Sequence, residues 1–178
     1  MATYEGIRIY AAGKITKNGW RHRLFPIADD HDYTGTYPSW PDGLAIDDLP
    51  GAVYVGPHFL SCDHGCFHGE NTHGVAGQGC GGEGLSRPDV LKRCLTAIEH
   101  ATHVFAWIDK ADAYGSLVEL GYARALGKHI HLYLAEDLDV ADDLWFAAQA
   151  SAVYSTAKTA THAWEDFAAR LPAPLVLG

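Results

Sequence analysis

Short apolar runs of strand length alternate along this chain with longer stretches in which apolar residues recur at helical spacing. Five runs are rich in apolar residues and are followed by turn residues, as strands are: residues 5–12, 52–55, 103–108, 129–134 and 152–154. Four stretches have the helical pattern: residues 87–100, 116–126, 142–150 and 159–170. Strands and helices that alternate in this way predict a parallel sheet covered by helices on both faces.

Local signals support these boundaries. Ser86, followed by a proline and an acidic residue, is typical of a helix start, and Gly127 is typical of a helix end. The predicted fold is α/β, a doubly wound, flavodoxin-like (Rossmann-like) parallel sheet of five strands. Ligands of such sheets bind beyond the carboxyl ends of the strands, where Gly13, Gly56 and Asp109 would converge. We therefore expect the functional site at that edge.

Residues 29–85 fit this pattern least. The segment is longer than the connections of a compact domain usually are, and it is rich in turn, aromatic, cysteine and histidine residues. It lacks the apolar periodicity that a core of its own would need. We interpret it as an elaborated Cys/His-rich insertion that covers an active site, within a single domain of residues 1–178.

Composition narrows the classes of function. The formal net charge of -9 argues against a nucleic-acid polymer as partner, because phosphate binding needs clustered Lys and Arg, but it leaves a single nucleotide open. The first residues have no apolar signal-peptide core, and no run approaches the length of a membrane span. We expect a cytoplasmic protein with reduced thiols and no membrane partner.

The segment from Asp109 to Gly121 carries the strongest functional signal. It follows the predicted strand 103–108 and opens a predicted helix with Glu119 in its first turn. A carboxylate there would lie among unbonded backbone N–H groups at the positive end of the helix dipole, and would stay ionised. Glu119 is therefore a candidate anionic nucleophile. The alternative is an exposed glutamate that only stabilises the helix dipole.

Residues 115–123 (GSLVELGYA) and 125–128 (ALGK), together with IYAAG at 9–13, resemble the nucleoside 2-deoxyribosyltransferase family and its nucleotide N-glycosidase relatives. The resemblance implies that Glu119 attacks the anomeric carbon of a sugar and displaces the base. Water or a second base would then resolve the glycosyl-enzyme ester. It also implies that Tyr10 lies beside the sugar with Gly13, that catalysis requires no cofactor, and that the chain forms homo-oligomers.

Two positions depart from the family pattern. The transferases carry an aspartate six residues before the glutamate, where this chain has Ala113 next to Asp112. They carry another on the preceding helix, where the alignment places Cys94. Asp109 and Asp112 are candidates for the leaving-group or sugar-hydroxyl roles, although Asp109 also suits a strand-end turn. The departures favour hydrolysis over base exchange.

Basic residues after the first strand suggest a phosphate contact. Lys14, Arg21 and Arg23 are placed where a 5′-phosphate would reach them, and a solvated basic face is the alternative. The helix start at Ser116 is a second candidate anion site. The other predicted substrate contacts are Gly56, His64, His68, Tyr114 and Gly115.

The Cys/His segment leaves three interpretations open. A structural zinc could be held by the predicted metal ligands Cys62, His64, Cys66, His68 and Cys80. A metal-free loop could instead bring His64, His68 or His73 to the base as contact or proton donor, since the pKa of histidine lies near neutrality. The third interpretation is incidental surface histidines and buried thiols.

Aromatic residues offer stacking partners for a base. Trp40, Phe59, Phe67, Trp145 and Phe146 are candidates. Helical spacing favours a packing role for Trp145 and Phe146. Trp107, inside a predicted strand, is expected in the core.

The predicted function is cleavage of the N-glycosidic bond of a nucleoside or nucleoside 5′-monophosphate through a covalent glycosyl-Glu119 intermediate. Either water (a hydrolase) or another base (a deoxyribosyltransferase) would resolve it. One alternative is a non-catalytic nucleotide-binding or sensor protein with a zinc-stabilised loop. A second alternative is an NAD glycohydrolase.

Overall fold

A six-stranded, mostly parallel sheet organises the part of the chain that the computed structural model describes, residues 2–14, 19–25, 43–57, 87–172 and 175–176. Eight strands occur there: β1 (Ala2–Thr3), β2 (Arg8–Ala12), β3 (Leu44–Ala45), β4 (Val53–Gly56), β5 (His103–Ile108), β6 (His129–Ala135), β7 (Val153–Ala157) and β8 (Leu175–Val176). The main sheet has the order β3-β4-β2-β5-β6-β7, and β1 pairs with β8 in a separate antiparallel ribbon.

All five predicted strands are present and run parallel to one another. The prediction of a five-stranded, wholly parallel sheet was wrong, because β3 adds a sixth strand antiparallel to β4. It lies within residues 29–85, and its two residues pair at the sheet edge, Leu44 with Tyr54 and Ala45 with Val53. A two-residue strand is too short to produce an alternating pattern that sequence analysis could detect.

Five α-helices lie in the described ranges: α1 (Trp20–Leu24), α2 (Arg87–His100), α3 (Tyr114–Ala125), α4 (Trp145–Ala150) and α5 (Ala160–Arg170). A 3₁₀ turn, Asp142–Leu144, precedes α4. The predicted end of α3 is confirmed, since Gly127 follows it with φ +71°, a conformation that glycine adopts without strain. None of the helices in these ranges is long and apolar enough to cross a membrane.

Helices cover both faces of the sheet, which explains why β5 and β6 are buried almost throughout, whereas burial alternates along β7 at the end of the sheet. Every residue of β5 is buried. On one face α1 and α5 supply the large aromatic side chains Trp20, Trp164 and Phe167. On the other face α2 and α3 supply smaller, aliphatic side chains, including Ala97, Ile98, Leu120 and Ala123. The structure is therefore a Rossmann-like α/β arrangement with two cores.

The strand order places a topological switch point between β2 and β5. The chain runs from β2 outward to β4 on one side, then returns through α2 to β5 on the other. A crevice forms at the carboxyl ends of two strands that separate in this way, and ligands of doubly wound sheets bind there. A register shift between Ile9 and Tyr10 in the pairing of β2 with β4 adds a local irregularity beside the crevice.

Candidate active site at the switch point

Glu119 projects from α3 toward the neighbouring strand β2, where it meets Tyr10. The Tyr10 hydroxyl donates a hydrogen bond to Oε1 of Glu119. Tyr10 is fully buried in the sheet, so its hydroxyl is a fixed donor. Because β2 lies inside the sheet between β4 and β5, the contact anchors the carboxyl group to the core of the fold.

The expectation that Glu119 lies in the first turn of its helix was wrong. The helix begins at Tyr114, two residues earlier than predicted, so Glu119 is its sixth residue and lies beyond the unbonded N–H groups. The first turn of α3 contains no acidic residue. The helix dipole therefore does not determine the ionisation of the Glu119 carboxyl group.

Burial instead dominates the ionisation of Glu119. Desolvation raises the pKa of Glu119 to about 7, although the Tyr10 hydrogen bond and the Arg21 charge act in the opposite direction. The expectation of a firmly ionised carboxylate was wrong for this reason. A carboxyl group that titrates near neutrality is suited to nucleophilic or proton-transfer chemistry.

Tyr10 also contacts Cys94 of α2. Burial raises the pKa of Tyr10 well above its usual value, and the neighbouring Glu119 and Cys94 raise it further. The phenol therefore stays protonated and remains a hydrogen-bond donor. Cys94 is the residue that the sequence alignment placed at the family's aspartate position, and the structure brings it to the same tyrosine.

Glycine is required at two positions on this edge. Gly13 has φ +148°, and a Cβ there would overlap the Trp107 carbonyl oxygen and lie 3.0 Å from the Trp20 ring. Gly56 has φ +145°, and its Cβ would lie 3.0 Å from the Cβ of Ala97. A neighbouring backbone oxygen at Gly13, neighbouring side chains at Gly56 and the positive φ at both positions account for the two glycines.

Lys14 and Asp112, both predicted site residues, form an ion pair that joins the end of β2 to the loop before α3. The hydrogen bond from Lys14 is the main cause that lowers the pKa of Asp112. Asp112 is consequently a carboxylate at neutral pH and accepts hydrogen bonds only. It suits a sugar-hydroxyl contact better than protonation of a leaving base.

Arg21 lies behind the same edge and is 2% exposed. Its guanidinium donates to three backbone carbonyls: Nε to Ala11 (2.9 Å), one terminal nitrogen to Gly13 (2.6 Å) and the other to Lys14 (3.1 Å). It also stacks 4.2 Å from the centre of the Trp20 ring. Sequence analysis named Arg21 as a phosphate contact and missed this backbone role.

The remaining predicted residues are more dispersed. Asp109 is half-buried directly after β5, whereas Tyr114 and Gly115 are exposed at the start of α3. Ser116 is 4% exposed, and its N–H already donates to the Ala113 carbonyl at 3.0 Å. Arg23 is exposed and lines a different cavity, of about 180 Å³, with Asp47 and Asp48 among its neighbours.

Several predictions fall on residues outside the described ranges. They include His64 and His68, predicted both as substrate contacts and as metal ligands, and the predicted metal ligands Cys62, Cys66 and Cys80. The predicted base-stacking residues Trp40, Phe59 and Phe67 also lie outside these ranges. The zinc site stays a prediction, and within the described ranges no group of three or more potential metal ligands occurs.

The aromatic predictions had mixed outcomes. Trp107 is 3% exposed, which confirms its place in the core. Trp145 and Phe146 are 63% and 72% exposed, so the interpretation of both as packing residues was wrong for the described part of the chain. The short helix α4 directs both rings outward, toward solvent, where they contact each other edge-on.

Similarity to known proteins adds nothing to this geometry. No protein-family model and no curated protein sequence matches the chain. We therefore infer a candidate site from the contacts of Glu119, Tyr10, Cys94 and Arg21.

Proposed function

We propose that this protein cleaves the N-glycosidic bond of a nucleoside or nucleoside 5′-monophosphate, with Glu119 as nucleophile. The observation that carries the proposal is the contact of Glu119 with Tyr10 at the carboxyl edge of the sheet. A carboxyl group oriented by a fixed phenol at the switch point of a doubly wound sheet supports a role in attack on a bound sugar.

The proposed reaction has two displacements. In the first, a Glu119 oxygen forms a bond to C1′, the C1′–N bond breaks, and its electron pair leaves with the base. The departing base takes up a proton, which the proposal assigns to His64 or His68. In the second, water attacks C1′ and gives its proton to the histidine that had protonated the base, while the ester bond breaks and releases the Glu119 carboxylate.

The ion pair of Lys14 with Asp112 supports a sugar-binding role at the same edge. The Asp112 carboxylate would accept from a sugar hydroxyl, while Lys14 would attract a 5′-phosphate. The resemblance assigns aspartates to the positions of Ala113 and Cys94, and their replacement supports hydrolysis rather than base exchange. Catalysis itself is proposed to need no cofactor.

Exposed apolar side chains support homo-oligomer formation in this proposal. Leu91 of α2, Tyr114 and Val118 of α3, and Trp145 and Phe146 of α4 are all more than half exposed. These helices cover the face of the sheet that carries Glu119. A second copy on this face would remove several large apolar side chains from water.

Release of free base is the direct test. Purified protein would be incubated with a panel of nucleosides and their 5′-monophosphates, with released base measured by chromatography. Glu119→Gln should abolish release, whereas Glu165→Gln, at an exposed position of α5, should leave it unchanged. Unaltered turnover by the Glu119→Gln protein would reject the proposal. Tight ligand binding without product would instead favour the sensor function.

A further inference from the structure

A buried cation binds the backbone that follows Tyr10, the hydrogen-bond partner of the candidate nucleophile. Arg21 is 2% exposed, and its three backbone hydrogen bonds go to Ala11, Gly13 and Lys14, the segment that follows Tyr10. Its terminal nitrogen lies 3.4 Å from the position that a Cβ on Gly13 would take. The guanidinium therefore holds the backbone at the carboxyl end of β2.

This arrangement differs from that of a phosphate-binding arginine. Phosphate sites present guanidinium donors to solvent, where a ligand can reach them. Here the donors are directed at carbonyl groups and the guanidinium is covered by the Trp20 ring. Moving Arg21 toward a ligand would leave three backbone carbonyls without this donor, which is unfavourable for buried polar groups.

We propose that Arg21 is a positioning residue: its buried guanidinium holds the carboxyl end of β2 and fixes a positive charge at the backbone that follows Tyr10. The claim rests on the proposed function where it concerns catalysis. Its electrostatic part concerns the protein alone, and can be tested without a substrate.

The surroundings of Glu119 support this role. From β2 it faces the Tyr10 hydroxyl, which in turn contacts Cys94 of α2. The charges of Lys14 and Asp112 neutralise each other in their ion pair, so the pair has no net charge. Arg21, from α1, is the charged group that lowers the pKa of Glu119 against the effect of burial. Its hydrogen bonds keep that charge in place.

Direct titration of Glu119 tests the inference. The protein would be labelled with ¹³C at glutamate Cδ, and the Glu119 resonance identified by its absence in Glu119→Gln. In Arg21→Gln the pKa of Glu119 should rise by roughly one unit above the wild-type value. Arg124→Gln makes the same change of net charge at an exposed position of α3, and should leave the titration unchanged.

Arg21→Lys tests the effect of the positive charge separately from the effect of the three hydrogen bonds. Lysine keeps the charge but cannot span three carbonyls, so the pKa of Glu119 should stay within about half a unit while the melting temperature falls. If the pKa of Glu119 in Arg21→Gln equals the wild-type value, the inference is overturned. If Arg21→Gln does not fold, the lysine variant decides, because a shift of a full unit there would also overturn it.

Catalysis supplies a separate readout. If Glu119 is the nucleophile, the acid limb of the kcat/KM profile in Arg21→Gln should move upward with the NMR titration. Should the titration shift in a protein that releases no base, the inference stands and the proposed function fails. Should base release depend on Glu119 while the Arg21→Gln titration is unchanged, the function stands and the inference fails.

Discussion

The Tyr10 hydroxyl donates to Glu119 across 109 positions of sequence, from the central strand β2 to the helix α3. The bond joins a donor that stays protonated to a carboxyl group whose pKa burial raises to about 7. It stabilises the charged form of Glu119 and fixes its orientation. Both properties are needed for a nucleophile that attacks one face of a sugar.

Tyr10→Phe should lower kcat/KM for base release by about 10- to 100-fold, the equivalent of one hydrogen bond to a charged group. The pKa of Glu119 should rise further, because the hydrogen bond from Tyr10 lowers it. Tyr122→Phe is the matched control, since Tyr122 donates to the exposed Glu99 instead. Equal losses of activity in both variants would contradict a specific role for Tyr10.

Base release should depend on pH through Glu119. The nucleophile must be ionised and its pKa is raised to about 7, so activity should fall as pH decreases through neutrality. Below the midpoint kcat/KM should drop about tenfold for each pH unit. Profiles of kcat/KM from pH 5 to 9 check this. An acid limb centred near pH 4.5, the ordinary glutamate range, would show that burial does not control the group.

Gly13→Ala should destabilise the protein by about 2–4 kcal/mol. The added Cβ would overlap the Trp107 carbonyl oxygen and crowd the Trp20 ring, at a backbone φ of +148° that alanine rarely adopts. Gly121→Ala is the control, because nothing lies within 4 Å of a Cβ inside helix α3. That change should stabilise by about 0.5–1 kcal/mol. Urea denaturation of both variants measures the contrast.

The sheet was predictable because its signal is local. Strands buried on both faces are largely apolar, so β2, β4, β5 and β6 appear in the sequence as separate runs, whereas the predicted run 152–154 covers only the start of the alternating strand β7. The convergence of Gly13, Gly56 and Asp109 follows from parallel strands that share one edge. The resemblance to a family then singled out Glu119 and Tyr10, which the fold places in contact.

The properties that sequence analysis missed depend on tertiary contacts. The pKa of Glu119 is set by desolvation, which no local pattern encodes. Arg21 donates its hydrogen bonds to backbone carbonyls. Every residue type has such a carbonyl, so the sequence does not reveal which ones Arg21 binds. The exposure of Trp145 and Phe146 depends on how the short helix α4 packs.

The exposed aromatic pair should govern self-association. Light scattering of the wild-type protein should give a multiple of the 19.3 kDa chain mass. Replacing both Trp145 and Phe146 by glutamate should return the mass to that of one chain, because burying charge in an apolar interface is unfavourable. Lys158→Glu, at another exposed position, should not change the mass. A wild-type protein that sediments as a single chain would contradict the proposed oligomer.

A histidine cluster under α5 should make the fold sensitive to acid. His103 and His131 are 9% and 6% exposed, lie 6.1 Å apart between ring centres, and pack against Phe167. Burial lowers the pKa of each to about 4, and Nδ1 of His131 has no hydrogen-bond partner in the described part of the chain.

The unfolded chain therefore binds more protons than the folded one between about pH 6.5 and 4, and stability falls as pH decreases through that window. Glu119 acts oppositely between about pH 4.5 and 7, because its folded pKa is raised. Two histidines outweigh one glutamate, so the net change on acidification is destabilising.

His131→Leu should abolish the net loss of stability between pH 7 and pH 5, because it deletes about 2 kcal/mol of acid destabilisation and the opposing effect of Glu119 then offsets the remaining histidine. Urea denaturation at both pH values measures the free energy of unfolding. His162→Ala, at an exposed position of α5, should retain the full wild-type loss. If His131→Leu loses as much stability as the wild type over this range, the buried imidazole of His131 is not the source of the acid sensitivity.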